Sequence, residues 1–97
     1  MNLPIFRPAA AADVEDAWSW YETRRAGLGD EFLEAVLAGL DAISAHPEAA
    51  PLVHGDIRRH LLRRFPYGLF YRSIEGQVIV LACFHAKRSP RAWRARG

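Results

Sequence analysis

The spacing of apolar positions along the chain changes once, near residue 50. Before that point it follows a helical period. Val14, Ala17, Trp18 and Tyr21 fall at i, i+3, i+4 and i+7 within Ala9–Arg25, which gives one apolar stripe on an amphipathic helix. Asp13, Glu15 and Asp16 lie early in that segment and Arg24 and Arg25 lie late, matching the helix dipole at both ends. Gly27 and Gly29 break the pattern, and Asp30 is the expected N-cap of a second helix. There Leu33, Val36, Leu37, Leu40 and Ile43 repeat the spacing with Phe32 alongside, and Pro47 stops it. Two such helices joined by a short turn form an antiparallel hairpin. Ahead of them, Leu3–Arg7 is a short strand candidate ended by Pro8.

Beyond the loop PEAAPLVHGD the period shortens to that of strands. Ile57–Phe65 alternates untidily, because Leu61 and Leu62 are adjacent; a bulge or burial on both faces accounts for this. Tyr67–Ile74 is a strand, Glu75-Gly76 a two-residue hairpin turn, and Val78–Phe84 an almost wholly apolar central strand. Lys87–Arg96 is a basic tail with room for a last helical turn. The predicted order is β-α-α-β-β-β, an α+β domain over residues 1–97 with the helix hairpin on one face of an antiparallel sheet.

Charge adds an asymmetry that the pattern alone does not show. The net charge of +2 combines two opposed halves. Met1–Ala50 carries three basic and nine acidic residues, net −6, and Pro51–Gly97 carries ten basic and two acidic ones, net +8. Such a field draws a polyanion or an acidic protein segment to one side. Of the thirteen basic residues twelve are arginine, the side chain suited to planar, hydrogen-bonded recognition of carboxylate or phosphate. The lone Cys83 excludes an internal disulfide. The start of the chain lacks the charged and apolar regions of a secretory signal, and no apolar run approaches the ~20 residues of a membrane span. A cytoplasmic location is the expectation.

Candidate chemistry is sparse. His46, His54, His60 and His85 show no i, i+4 zinc spacing, and one cysteine supplies no thiolate cluster; neither a metal nor a cofactor is expected. Cys83 reads as a small buried hydrophobe. Most aromatic residues fall on core positions, whereas Trp20 and Trp93 lie outside the stripes and are expected at the surface. Two arginine clusters remain: Arg58, Arg59, Arg63 and Arg64 in IRRHLLRR, and Lys87, Arg88, Arg91, Arg94 and Arg96 in the tail. Either is a solvated face or a docking surface for carboxylates or phosphates.

The segments DVEDAWSWY, GLGDEFL, AISAHP, IRRHLLRRFPYGLFY and VIVLACFHAKRSPRAWR together resemble the RelE/ParE superfamily of toxins from type II toxin–antitoxin modules, often called plasmid stabilisation proteins. The resemblance implies the same β-α-α-β-β-β fold and neutralisation by a cognate acidic antitoxin, with Arg58, Arg59, Arg63 and Arg64 as its contacts. RelE-like members cleave mRNA at the ribosome without a metal, using an arginine in the middle strand and a proton-transfer group near the C-terminus. Here Gly68 stands where that arginine would be, and Trp93 about where some members place a tyrosine. The segment F-P-Y-G and the tail H-x-x-R-x-P-x-x-W are closer to the ParE branch, which implies a non-enzymatic poison of DNA gyrase with Lys87, Arg88, Arg91, Trp93 and Arg94 as target contacts. The alternatives are an mRNA endoribonuclease using His85, Lys87 and Arg88, and a non-toxic binding partner with the same fold.

Overall fold

A computed structural model describes residues 3–97. The chain opens with β1 (Ile5–Phe6), followed by α1 (Pro8–Arg24) and α2 (Leu28–Ala45). Then come β2 (Leu52–His54), β3 (Ile57–Leu61), β4 (Tyr67–Ile74), β5 (Gln77–His85) and the short α3 (Pro90–Arg94). The strands lie in the order β1-β5-β4-β3-β2, antiparallel except for β1, which runs parallel to β5. The helix hairpin covers one face and α3 part of the other. The predicted fold class holds, with β2 as an added edge strand.

Local physics explains the boundaries. Pro8 begins α1 instead of merely ending the first strand, since proline's fixed φ and missing N–H suit the first helical turn. The cap of α2 is Gly27, in the left-handed region at φ 89, rather than Asp30. Its exposed amide groups are met from α1: the Glu22 carboxylate accepts from Gly27 N at 3.0 and 3.1 Å and from Gly29 N at 3.0 Å. Asp30 instead accepts a hydrogen bond from Trp18 Nε1 at 3.1 Å. A side chain at Gly29 would run into Trp18, so the hairpin closes tightly there.

The buried stripe of α2 is rotated from the expected one. Phe32, Val36, Gly39 and Ile43 face the sheet, whereas Leu33 and Leu37 are 38% and 53% exposed. The reason is Gly39: a Cβ there would lie 3.0 Å from Leu62 Cδ2 and 3.2 Å from Leu69 Cδ1. The helix backbone approaches the sheet on that side and carries Phe32 inward. Phe32 then packs against Tyr21, Phe65 and Tyr67 with ring centroids 5.2–5.4 Å away.

On the sheet, β3 stops at Leu61 instead of continuing to Phe65. Leu61 stays on the face away from the hairpin, while the chain turns through Arg64 at φ 69 and buries Leu62 and Phe65 under the helices. That exit accounts for the adjacent leucines. Glu75 and Gly76 form the expected tight turn, both with positive φ. β5 is apolar from Val78 to Phe84 because both its faces are covered. Val78, Val80 and Cys83 point to the hairpin, and Leu81, Ala82 and Phe84 point to α3. A bulge between the pairs Phe70↔Ala82 and Tyr71↔Val80 leaves Leu81 as the extra residue.

Candidate functional site

Trp93 fastens the basic tail. It was expected at the surface, but its indole is 94% buried and stacks on Phe70 at 5.1 Å and 19°. The sequence pattern misled because α3 has only five residues, too few for a stripe to be read. Ser89 caps this turn by accepting from Arg91 N at 3.3 Å. A second fastening was not foreseen at all. Arg96 makes a bidentate pair with Asp13 of α1, at 2.9 and 3.2 Å, and also donates to Leu81 O at 3.0 Å. Asp13 Oδ2 accepts from Cys83 N as well, at 3.0 Å, and Arg7 donates to Arg96 O at 2.9 Å. Beyond the two-residue β1, therefore, side chains close the free edge of β5. No spacing rule connects residues 13 and 96, and only their opposite charges hinted at the pairing.

With the tail fixed, its cations are displayed. Lys87, Arg88, Arg91 and Arg94 are exposed, and among the described residues none of them has a carboxylate partner. Arg88 lays its guanidinium over the Phe84 ring, 4.2 Å from the centroid, and Arg96 approaches the same ring at 4.7 Å. His85 ends β5 with its Nδ1 accepting from Lys87 N at 3.1 Å and its ring edge-on to Tyr67 at 5.5 Å. His85, Arg88 and Tyr67 share a cleft of about 580 Å³ with Asp16 and the exposed Trp20 of α1. Burial pushes the Tyr67 hydroxyl above its ordinary pKa, with Cys83 adding to the rise and Arg88 opposing it. Trp20 is exposed, as expected, and carries Arg24 over its ring at 4.2 Å.

The four arginines of IRRHLLRR separate. Arg58 turns toward the loop after α2 and donates to Glu48 O and Ala50 O at 2.9 and 2.7 Å, holding that loop beside the bond from Tyr71 to Pro47 O. Arg59 lies on the face away from the helix hairpin, across Gly68. Arg63 is exposed beside a groove formed by Ala38, Ala42 and His60. Arg64 pairs at 2.8 Å with Glu31, which also holds Arg25. Those two arginines lower the Glu31 pKa.

Two side chains near these groups yield solution predictions. The Cys83 thiol is pushed up to about 12 by burial, with the Asp13 charge adding to it; thiolate is the reactive form. Native protein should therefore resist iodoacetamide at mildly alkaline pH and label fully in denaturant, and rapid native labelling would contradict this environment. Burial lowers the His60 pKa below 6.5. The unfolded chain then takes up a proton that the folded one refuses, so stability is complete above about pH 6.5 and falls as pH drops through the folded value. Unfolding midpoints across that range should decline on the acid side, and His60→Gln should flatten the decline.

Among the described residues no three of His, Cys, Asp and Glu gather as a metal site, and no helix is long and apolar enough to cross a membrane. Fold and site thus define a small α+β protein with an arginine-rich tail clamped to its sheet. The sequence profile of the ParE toxin of type II toxin–antitoxin systems matches residues 5–90. The chain belongs to that family. Among solved structures it is similar to a chain of the chromosomal ParDE TA system from P. aeruginosa, with a TM-score of 0.62 and 16% identity, covering 86% of this chain and 96% of the other. No curated protein matches it.

Proposed function

We propose that the protein inhibits growth by binding DNA gyrase and stabilising its cleaved-DNA state, and that a cognate acidic antitoxin neutralises it. The observation that carries this reading is the tail. Lys87, Arg88, Arg91 and Arg94 are exposed and lack carboxylate partners, and Trp93 and the Asp13–Arg96 pair hold them on a rigid base. Rigidly displayed cations bind at a lower entropic cost than mobile ones. Trp93 serves here as the anchor of the target surface. Arg63, exposed beyond the end of β3, is the charged contact for the antitoxin, because Arg58 already serves two carbonyls and Arg64 is paired with Glu31.

A second reading has one feature in its favour: His85 and Arg88 face the same cleft, next to Lys87, as a metal-independent ribonuclease on ribosome-bound mRNA requires. Inducing the gene alone in bacteria, with pulses of labelled thymidine and methionine, separates the two. Early loss of thymidine incorporation with translation intact supports gyrase. Immediate collapse of methionine incorporation with cut mRNA supports the ribonuclease. Continued division supports a non-toxic partner.

A further inference from the structure

The face of the sheet away from the hairpin carries a positive surface that neither fold nor core packing explains. Arg59 stands opposite Phe70, Leu61 opposite Gly68, and Gly68 opposite Phe84, so all five share this face. Gly68 lets the Arg59 side chain lie flat across β4: a Cβ at Gly68 would be 3.1 Å from Arg59 Cγ and 3.3 Å from its Cδ. The result is an arginine whose Nε is buried without a hydrogen-bond partner, a state that buried polar groups rarely keep. One cross-strand step away Arg88 lies over Phe84. Arg96, the other guanidinium on that ring, is neutralised by Asp13, whereas among the described residues Arg59 and Arg88 have no carboxylate partner. Arg91 and Arg94, on the α3 turn packed on this face, are likewise unpaired. Asp56, one of two acidic residues in this half, is held by Arg72.

We propose that this face docks the phosphate backbone of duplex DNA, with Arg59 and Arg88 as the central pair. The surface has the wrong composition for other anionic partners. A protein segment needs apolar or aromatic anchors at the centre of its footprint, and a single strand needs aromatic platforms on which bases stack. On this face Phe70, Phe84 and Trp93 are all at least 94% buried and Leu61 is the large apolar side chain left open; the exposed Trp20 that shares a cleft with Arg88 belongs to α1, in the helix layer. Duplex phosphates need only placed cations. The choice of DNA over RNA rests on the gyrase reading; the cationic surface itself does not.

The test is fluorescence anisotropy of purified protein, without gyrase, on a labelled DNA duplex, the matching RNA duplex and single strand, and polyglutamate. Duplex DNA is expected to bind independently of sequence and to weaken with salt, with a log–log slope of about −0.9 for each phosphate contacted. Arg59→Gln and Arg88→Gln should each reduce that slope by about one. Arg25→Gln, which removes an exposed arginine paired with Glu31 on the opposite layer, should leave it unchanged. Circular dichroism melts show whether each variant is folded, and Arg88→Lys should restore most of the slope. No binding at about 50 mM salt, slopes unmoved in folded variants, or preference for RNA, single strand or polyglutamate would each overturn the proposal. Duplex binding by a protein that leaves gyrase unpoisoned removes the gyrase reading alone; gyrase poisoning without duplex binding removes this one alone.

Discussion

Phe32→Ala is expected to lower the unfolding free energy by about 3–5 kcal/mol, a large share of the ~5–15 kcal/mol typical of such a domain. Phe32 is fully buried and touches aromatic partners from three separate segments. Tyr21 of α1 stacks on it at 28°, while Phe65 from the loop after β3 and Tyr67 at the start of β4 meet it edge-on at 85° and 70°. Such ring pairs contribute beyond their buried area, by about 0.5–1.5 kcal/mol each. Collapse cannot close the gap easily, because Gly39 already holds the helix against Leu62 and Leu69. At about 4–8 °C per kcal/mol for a domain of this size, the thermal midpoint should fall by well over ten degrees. A loss of only ~1 kcal/mol in urea titration would mean that Tyr21 and Phe65 fill the space.

Asp13→Ala is the second large effect, expected at about 2–4 kcal/mol. One carboxylate accepts the Arg96 fork and the Cys83 amide. Its loss leaves that amide without its side-chain acceptor, at a cost of ~1–3 kcal/mol, and leaves Arg96 unpaired. Full burial would put the broken ion pair at ~3–5 kcal/mol; side-chain exposure of 27% for Arg96 and 12% for Asp13 lowers the figure. Hydrogen exchange should speed up at Cys83 and through α3 while α2 stays protected. A double-mutant cycle with Arg96→Ala should return a coupling above ~1 kcal/mol; additive effects would mean that the tail holds by Trp93 alone.

Much of this architecture was legible because the strongest signals lie in the longest elements. The apolar β5 and the two helical stripes fixed the order of elements, and Glu75-Gly76 fixed the hairpin. The failures have physical causes. β2 lies in a segment broken by Pro47 and Pro51, and it pairs with β3 by a register that shifts between Leu52 and His54. The roll of α2 depends on how close Gly39 can approach the sheet, which periodicity cannot report. Trp93 sits on a helix too short to have a pattern. For the candidate site, composition revealed the cations but not their arrangement. Which arginines are occupied depends on partners far along the chain: Glu31 for Arg64, the carbonyls of Glu48 and Ala50 for Arg58, and Asp13 for Arg96.

The strand order also sets a sequence of events during synthesis. β5 is the last of the five strands to leave the ribosome, yet it is the one on which β1 and α1 must settle. The hairpin α1–α2 can form from local contacts alone, but α1 lacks its main strand partner until residues 77–85 emerge. The lock between Asp13 and Arg96 closes later still, across 83 positions of the chain. Contacts of such long sequence separation are the slow ones in folding. A nascent chain therefore exposes its arginines before the base that orders them exists, and their fixed display comes last in folding.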